Sequence, residues 1–208
     1  TMALPGEPAC RLVSPCADGQ WRDIPSDANT QHVDAAHLGP ADGSATMPWP
    51  TIGDAITAAA PGATIAIARG SYVEGLNVTK PVVLWGVCPS ETLITSVAAQ
   101  TIVFRPGSSG SVLRNIGVVD TGGIGVLVSA ADVSIEAAWI YQTADIGVVA
   151  ELTLGPASVT VSDSLIEGFG RYGMQSLGAG MFVRRSVVRT PAASGRGAGI
   201  WLQGHDGV

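Results

Sequence analysis

The amino-acid sequence predicts an all-β parallel solenoid with a short helix capping its N-terminal end. Three observations carry that expectation. Four blocks in the second half, "LRNIGVV" from Leu113, "IEAAWIY" from Ile135, "VSDSLIE" from Val161 and "VRRSVVR" from Val183, align at offsets of 22, 26 and 22 residues. Repeats of that length build solenoids or arrays. Each block is followed by a second short strand that opens on glycine, at Gly125, Gly147, Gly173 and Gly199. The composition agrees, because 27 glycines and only 13% charged residues favour many tight corners over long helices with a charged outer face.

Residues 1–46 are rich in Pro, Gly, Asp and Ala with little periodicity and read as an irregular lead-in packed on the solenoid of residues 47–208. A helix at about residues 51–60 follows. Thr51 can cap it, Asp54 suits the dipole of the first turn, Ile52, Ala55, Ile56 and Ala59 form one apolar face, and Pro61-Gly62 stops it. So short a helix is marginal alone and needs a hydrophobic surface beneath it. Beyond it, "TIAIA", "GLNV", "VVLWG", "TLIT" and "TIVF" are strand-like runs parted by Gly, Pro and Ser corners.

Aligned on the repeat, the inward columns are Leu113/Ile135/Val161/Val183, Ile116/Ala138/Ser164/Ser186 and Val118/Ile140/Ile166/Val188. All are apolar or small. Such columns stack when each turn of chain lies on the last as a parallel neighbour about 4.8 Å away. This pattern resembles the right-handed parallel β-helix of the pectin-lyase-like proteins, and "PWPTIGDAITAAAPGATIAIARGSYVEGL" resembles the opening of many secreted bacterial members. The resemblance spans roughly residues 47 to 208 and implies fold more strongly than activity. It also gives the helix a purpose, since the first coil of a solenoid exposes bare strand edges and an open core. Ile52, Ile56 and Ala59 are expected to plug the coil begun by Ile65 and Ile67. At the other end "WLQGHDGV" falls within a coil, so either the chain continues or that end pairs with another chain.

Composition excludes some functions. A net charge of −6 and a pI near 4.9 lack the basic footprint that nucleic acid requires. No apolar run reaches the 18 or so residues of a membrane span, and the first residues lack a charged-then-apolar leader pattern. Cys10 and Cys16 bracket "CRLVSPC" and can close a disulfide that ties down the N-terminus, leaving Cys88 without an obvious partner. The alternative is three free thiols in a reducing compartment. No Cys-x-x-Cys pair suggests zinc, His32 and His37 lie at no metal-ligand spacing, and neither metal nor cofactor is expected.

Outward side chains are the ones that can carry chemistry, because side chains fill the interior. Arg114 with Glu136, Asp163 with Arg185, and Glu167 with Arg189 fall opposite one another on adjacent coils and read first as charge ladders. Asp163, Glu167, Glu136 and Arg171 are weaker catalytic candidates. Trp139 and Tyr141, two apart on one strand, are expected to emerge on the same face roughly 7 Å apart and to offer a sugar-stacking platform. The alternative is that the lead-in or another chain covers this stripe. Arg171, Arg184, Arg185, Arg189 and Arg196 crowd the last quarter of the chain and could grip an acidic glycan.

The resemblance sets a further test. Pectate-lyase members carry calcium-binding carboxylates with a catalytic arginine, and polygalacturonase-like members carry Asn-Thr-Asp, Asp-Asp and Gly-His-Gly. Here only "DTGG" at Asp120 and "GHDG" at Gly204 come near those patterns. His205-Asp206 reads as a surface turn, and "NVT" at Asn77 fits a glycosylation acceptor. The expected function is a secreted or envelope-associated scaffold that binds polysaccharide at Trp139, Tyr141, Arg171, Arg184 and Arg185. A polysaccharide lyase or glycoside hydrolase using Asp163 or Glu167 and an end-to-end self-assembling β-helix are the alternatives.

Overall fold

The computed structural model describes residues 1–4, 7–16, 18–189 and 197–204, with the backbone alone at Asp120. After strand β1 (Thr30–Val33) and helix α1 (Ile52–Ala58), the chain coils three strands at a time. The successive coils are β2 (Ala63–Ile67), β3 (Gly70–Val73) and β4 (Leu76–Val78), then β5 (Val82–Gly86), β6 (Thr92–Thr95) and β7 (Gln100–Phe104). Next come β8 (Ser111–Arg114), β9 (Gly117–Thr121) and β10 (Ile124–Ser129), followed by β11 (Asp132–Glu136), β12 (Trp139–Thr143) and β13 (Ile146–Glu151). The last are β14 (Ser158–Ser162), β15 (Leu165–Glu167) and β16 (Tyr172–Leu177), then β17 (Gly180–Arg184), β18 (Val187–Arg189) and β19 (Ala198–Gln203).

Every third strand pairs in parallel. The first sheet runs β1-β2-β5-β8-β11-β14-β17, the second β3-β6-β9-β12-β15-β18 and the third β4-β7-β10-β13-β16-β19. The molecule is a parallel β-solenoid of three sheets. Its registers are those the repeat predicts: Ile135 faces Leu113 on one side and Val161 on the other, Val161 faces Val183, and Ile140 lies between Val118 and Ile166. Ile135, Ile140, Val161 and Ile166 are wholly buried. Burial of these columns is the main stabilising term, roughly 1.5–3 kcal/mol for each large aliphatic side chain. In the mixed column, Ser164 Oγ accepts from Ala138 N at 3.0 Å and Ser186 Oγ accepts from Ser164 N at 3.1 Å, so hydroxyls continue the ladder where apolar groups stop.

The glycine column has a steric cause. A Cβ on Gly147 would stand 2.5 Å from the Gly173 carbonyl oxygen, and one on Gly125 or Gly173 would stand 2.7 Å from the next carbonyl. Only hydrogen fits there. At the corner between the first and second sheets, Asn115, Ala137, Asp163 and Arg185 all take left-handed φ of 45–54°, a costly conformation for non-glycine residues. Their stacked N–H groups compensate by donating to the adjacent coil, Asn115 N to Glu136 O, Ala137 N to Ser162 O and Asp163 N to Arg184 O.

Helix α1 is the lid. Ile52, Ala55, Ile56 and Ala59 are buried in the same cluster as Ile65 and Ile67. Thr51 Oγ1 accepts from Asp54 N at 3.1 Å, as its sequence implies. The solenoid supplies the rest of the capping: Glu74 accepts from Ile52 N and Gly53 N, and Lys80 donates to the carbonyls of Thr57 and Ala59.

The lead-in carries more order than its composition suggests. Thr30–Val33 adds β1 to the first sheet in register with β2. Four residues with Gln and His at the centre leave no alternating pattern to read. Residues 1–4 and 7–16 form an arm with an antiparallel bridge between Met2 and Arg11. Its anchor corrects the expected Cys10–Cys16 bridge: the disulfide joins Cys16 to Cys88, and Cys10 is free and exposed. A local loop is the cheaper closure in the unfolded chain; docking of the arm on the solenoid brings the distant pair within a Cα separation of 5.1 Å. Among the described residues no helix is long and apolar enough to cross a membrane.

Candidate functional site

The outer face of the second sheet gathers four of the residues that the sequence singles out, Trp139, Tyr141, Glu167 and Arg189. Trp139 pairs with Gly117 and Leu165, and Tyr141 with Val119 and Glu167. The rings do not stand apart as strand spacing implies. They lean together into a stack with centroids 4.0 Å apart and planes 20° from parallel. Trp139 Nε1 donates to Glu167 Oε1 at 2.9 Å, which fixes the indole, and Arg189 Nε donates to Glu167 Oε2 at 3.0 Å. Stack, carboxylate and guanidinium therefore form one unit spanning three coils.

The two sides of that stack differ. On one side the N-terminal arm closes in, so that Thr1, Leu12, Val13 and Ser14 share a narrow crevice with Trp139, Pro89 and Ser90. Arg189 Nη2 also donates to the Thr1 carbonyl at 2.7 Å. Leu165, outward-facing by strand alternation, is fully buried. On the other side lies a cleft of about 270 Å³ lined by Tyr141, Gln142, Glu167 and Gly168. Gln142 and Gly168 hold left-handed φ of 54° and 68°, turning the chain from the second sheet towards the third and opening the cleft at the corner. The stripe is thus covered beside Trp139 and open beside Tyr141.

The arginines do not form one groove. Arg171 lies at the corner between the second and third sheets and forks onto Asp145, with nitrogen–oxygen distances of 2.8 and 2.7 Å. Arg185 lies at the corner between the first and second sheets and forks onto Asp163 at 2.9 and 2.6 Å. The width of a sheet separates them. Arg184 ends β17 on the first sheet and has no ion-pair partner among the described residues, while Arg196 lies outside them. Sequence clustering mistook positions spread around a coil for neighbours.

The carboxylate candidates are engaged. Glu136 accepts from Arg114 Nε and Nη2 through one oxygen, and Glu167 uses both oxygens as described. The hydrogen bonds from Arg185, helped by its charge and that of Arg11, hold the Asp163 carboxyl below the usual carboxylate range. A carboxyl held low is a poor proton donor near neutral pH. The charge ladders read from the repeat are present as Arg114–Glu136, Asp163–Arg185 and Glu167–Arg189.

The remaining positions take simpler roles. Asn77 is exposed on β4, and its Oδ1 accepts from Arg105. His37 bonds to the Pro40 carbonyl on the surface. His205-Asp206 and the side chain of Asp120 lie outside the described residues. Cys16, Cys88 and Glu91 form the one grouping of metal-ligand chemistry among the described residues, but the disulfide takes both sulfurs and Arg69 pairs with Glu91. No protein-family model, curated protein or solved structure matches the chain.

Proposed function

We propose that the protein is an extracellular or envelope-associated scaffold that holds a glycan in the cleft beside Tyr141. One observation carries this reading: an open cleft of about 270 Å³ whose lining joins Tyr141, stacked on Trp139, to Gln142, Glu167 and Gly168. Aromatic faces take the C–H face of a sugar ring, and side-chain amides and carboxylates take its hydroxyls. The volume falls just below the roughly 300–1,000 Å³ usual for ligand sites, which suits one ring of a longer polymer at a time. The Cys16–Cys88 disulfide supports an oxidising compartment.

Charge pairing favours a neutral glycan over a uronic-acid polymer, because the guanidiniums of Arg171, Arg185 and Arg189 already bond to Asp145, Asp163 and Glu167. The same pairing argues against lyase or hydrolase chemistry at Asp163 or Glu167. Retention on immobilised neutral and uronic-acid polysaccharides tests the reading. Tyr141→Ala should abolish retention on a neutral polymer, whereas Arg184→Ala should leave it intact. Equal retention of native protein and Tyr141→Ala rejects the cleft, and new reducing or unsaturated ends in the incubated polymer reject the non-catalytic reading.

Self-association is a second reading, favoured by Phe182 on β17 and by Ile200 and Leu202 on β19, all exposed on the end strands of their sheets. Light scattering over a dilution series decides it, and a constant monomer mass overturns it.

A further inference from the structure

A second cavity lies apart from the Tyr141 cleft. It is a hollow of about 360 Å³ in the lead-in, beside β1, whose lining includes Ser26, Asp27, Gln31, His32 and Asp42. His32 is 4% exposed, yet glycan binding at Tyr141 gives it no role. Its ring sits edge-on to Trp21, with centroids 4.7 Å apart and planes at 72°. Both ring nitrogens have partners: Nδ1 lies 3.2 Å from the Gly43 carbonyl oxygen and Nε2 lies 3.1 Å from Ser26 Oγ.

These partners fix the tautomer. A carbonyl oxygen only accepts, so Nδ1 carries the proton and donates it to Gly43. In the neutral ring Nε2 is then the acceptor, and the Ser26 hydroxyl must donate to it. A serine O–H aimed at an imidazole whose far nitrogen is held by a third group is the arrangement of an activated nucleophile, within the usual reach of roughly 2.6–3.2 Å. Ser26 is exposed while His32 is not, so the nucleophile faces solvent and the base is shielded from it. Gln31 lines the same hollow, and because its Oε1 accepts from Trp49 Nε1 at 2.8 Å, the donor end of its amide is defined as well.

We propose that Ser26 and His32 form an acyl-transfer dyad, with the Gly43 carbonyl as orienting third member, acting on small uncharged esters. In the first step Ser26 Oγ bonds to the ester carbonyl carbon as its proton passes to His32 Nε2. The ester C–O bond then breaks, and the departing alkoxide takes that proton. Water attacks the acyl-serine, gives a proton to Nε2, and releases the acid as the proton returns to Ser26. Asp27 and Asp42 line the hollow and disfavour an acyl group bearing a negative charge. A carbonyl fixes the tautomer but adds no charge opposite the imidazolium, so turnover is slower than with a carboxylate third member.

The test uses the full chain and a fluorophosphonate probe, in which Ser26 Oγ bonds to phosphorus and fluoride leaves. Intact mass and peptide mapping should find one adduct, on Ser26, absent from Ser26→Ala and slowed roughly 10²–10⁴-fold in His32→Gln. Hydrolysis of p-nitrophenyl acetate should fall in parallel. Absence of an adduct on the native protein, an adduct at another residue, or labelling of the heat-unfolded chain as fast as the native one overturns the proposal. The native protein and Ser26→Ala are enough to distinguish these outcomes, so a misfolded His32→Gln does not blunt the test. Glycan retention by Ser26→Ala stays unchanged, which keeps this site separate from the Tyr141 cleft.

Discussion

Cys16 and Cys88, 72 residues apart in the chain, are joined by a disulfide that staples the N-terminal arm to the loop between β5 and β6. A bridge across so long a loop removes more unfolded-state entropy than a short local one would, and contributes roughly 2–4 kcal/mol. Paired Cys16→Ser and Cys88→Ser substitutions should lower the unfolding free energy by about that amount in urea titrations. Cys10→Ser should change it by less than about 0.5 kcal/mol. A large loss from Cys10→Ser would restore the local bridge that the sequence suggests.

The glycine column offers a positional contrast. A Cβ on Gly147 would meet the Gly173 carbonyl oxygen at 2.5 Å and Ile166 Cγ2 at 2.8 Å, whereas one on Gly199 would meet only Val188 Cγ1, at 3.7 Å. Backbone cannot yield as a flexible side chain can. Gly147→Ala should cost roughly 1–3 kcal/mol, and Gly199→Ala should be close to neutral. Equal thermal midpoints for the two variants would remove the steric account.

That contrast shows where the sequence was legible. Repetition at 22–26 residues exposes the stacked columns and the ion pairs, because each coil restates the same steric problem and the solutions line up. One-off contacts leave no such record. The burial of Leu165, the crevice that Thr1 and Leu12 share with Trp139 and the bond between Arg189 and the Thr1 carbonyl depend on an arm that docks once. The stacked geometry of Trp139 and Tyr141 was equally hidden, since strand spacing fixes Cβ positions and not ring tilt. Ser26 and His32, six residues apart in a stretch without periodicity, leave no such signal.

Asp163 and Arg185 give a pH dependence of known sign. The folded carboxyl titrates below its unfolded value of about 3.9, so between the two values the unfolded chain binds more protons. The pair's contribution is therefore complete above about pH 4 and is lost as pH falls through the folded value. Both side chains are partly exposed, at 35% and 64%, so solvent screening keeps the contribution small. Arg185→Ala should move the Asp163 carboxyl titration, followed by NMR, to higher pH. An unmoved titration would mean that Arg11 or the local backbone, not Arg185, holds it down.

Helix α1 tests whether tertiary contacts or local capping hold the lid. Thr51 supplies the local cap and should cost about 1 kcal/mol on Thr51→Ala. Glu74 reaches from the coil beneath to two N–H groups, with Oε1 2.8 Å from Ile52 N and Oε2 3.0 Å from Gly53 N. Glu74→Gln leaves one acceptor for two donors and removes the charge, so the expected loss is roughly 1–3 kcal/mol. A seven-residue helix has too few internal bonds to persist without the solenoid, so the Glu74 variant should be the more damaging of the two. It should also speed amide exchange at Ala55 and Ile56, where the lid seals Ile65 and Ile67. If Thr51→Ala proves the costlier change, the helix is held by its own sequence, and its place over the open coil is a consequence of folding instead of its cause.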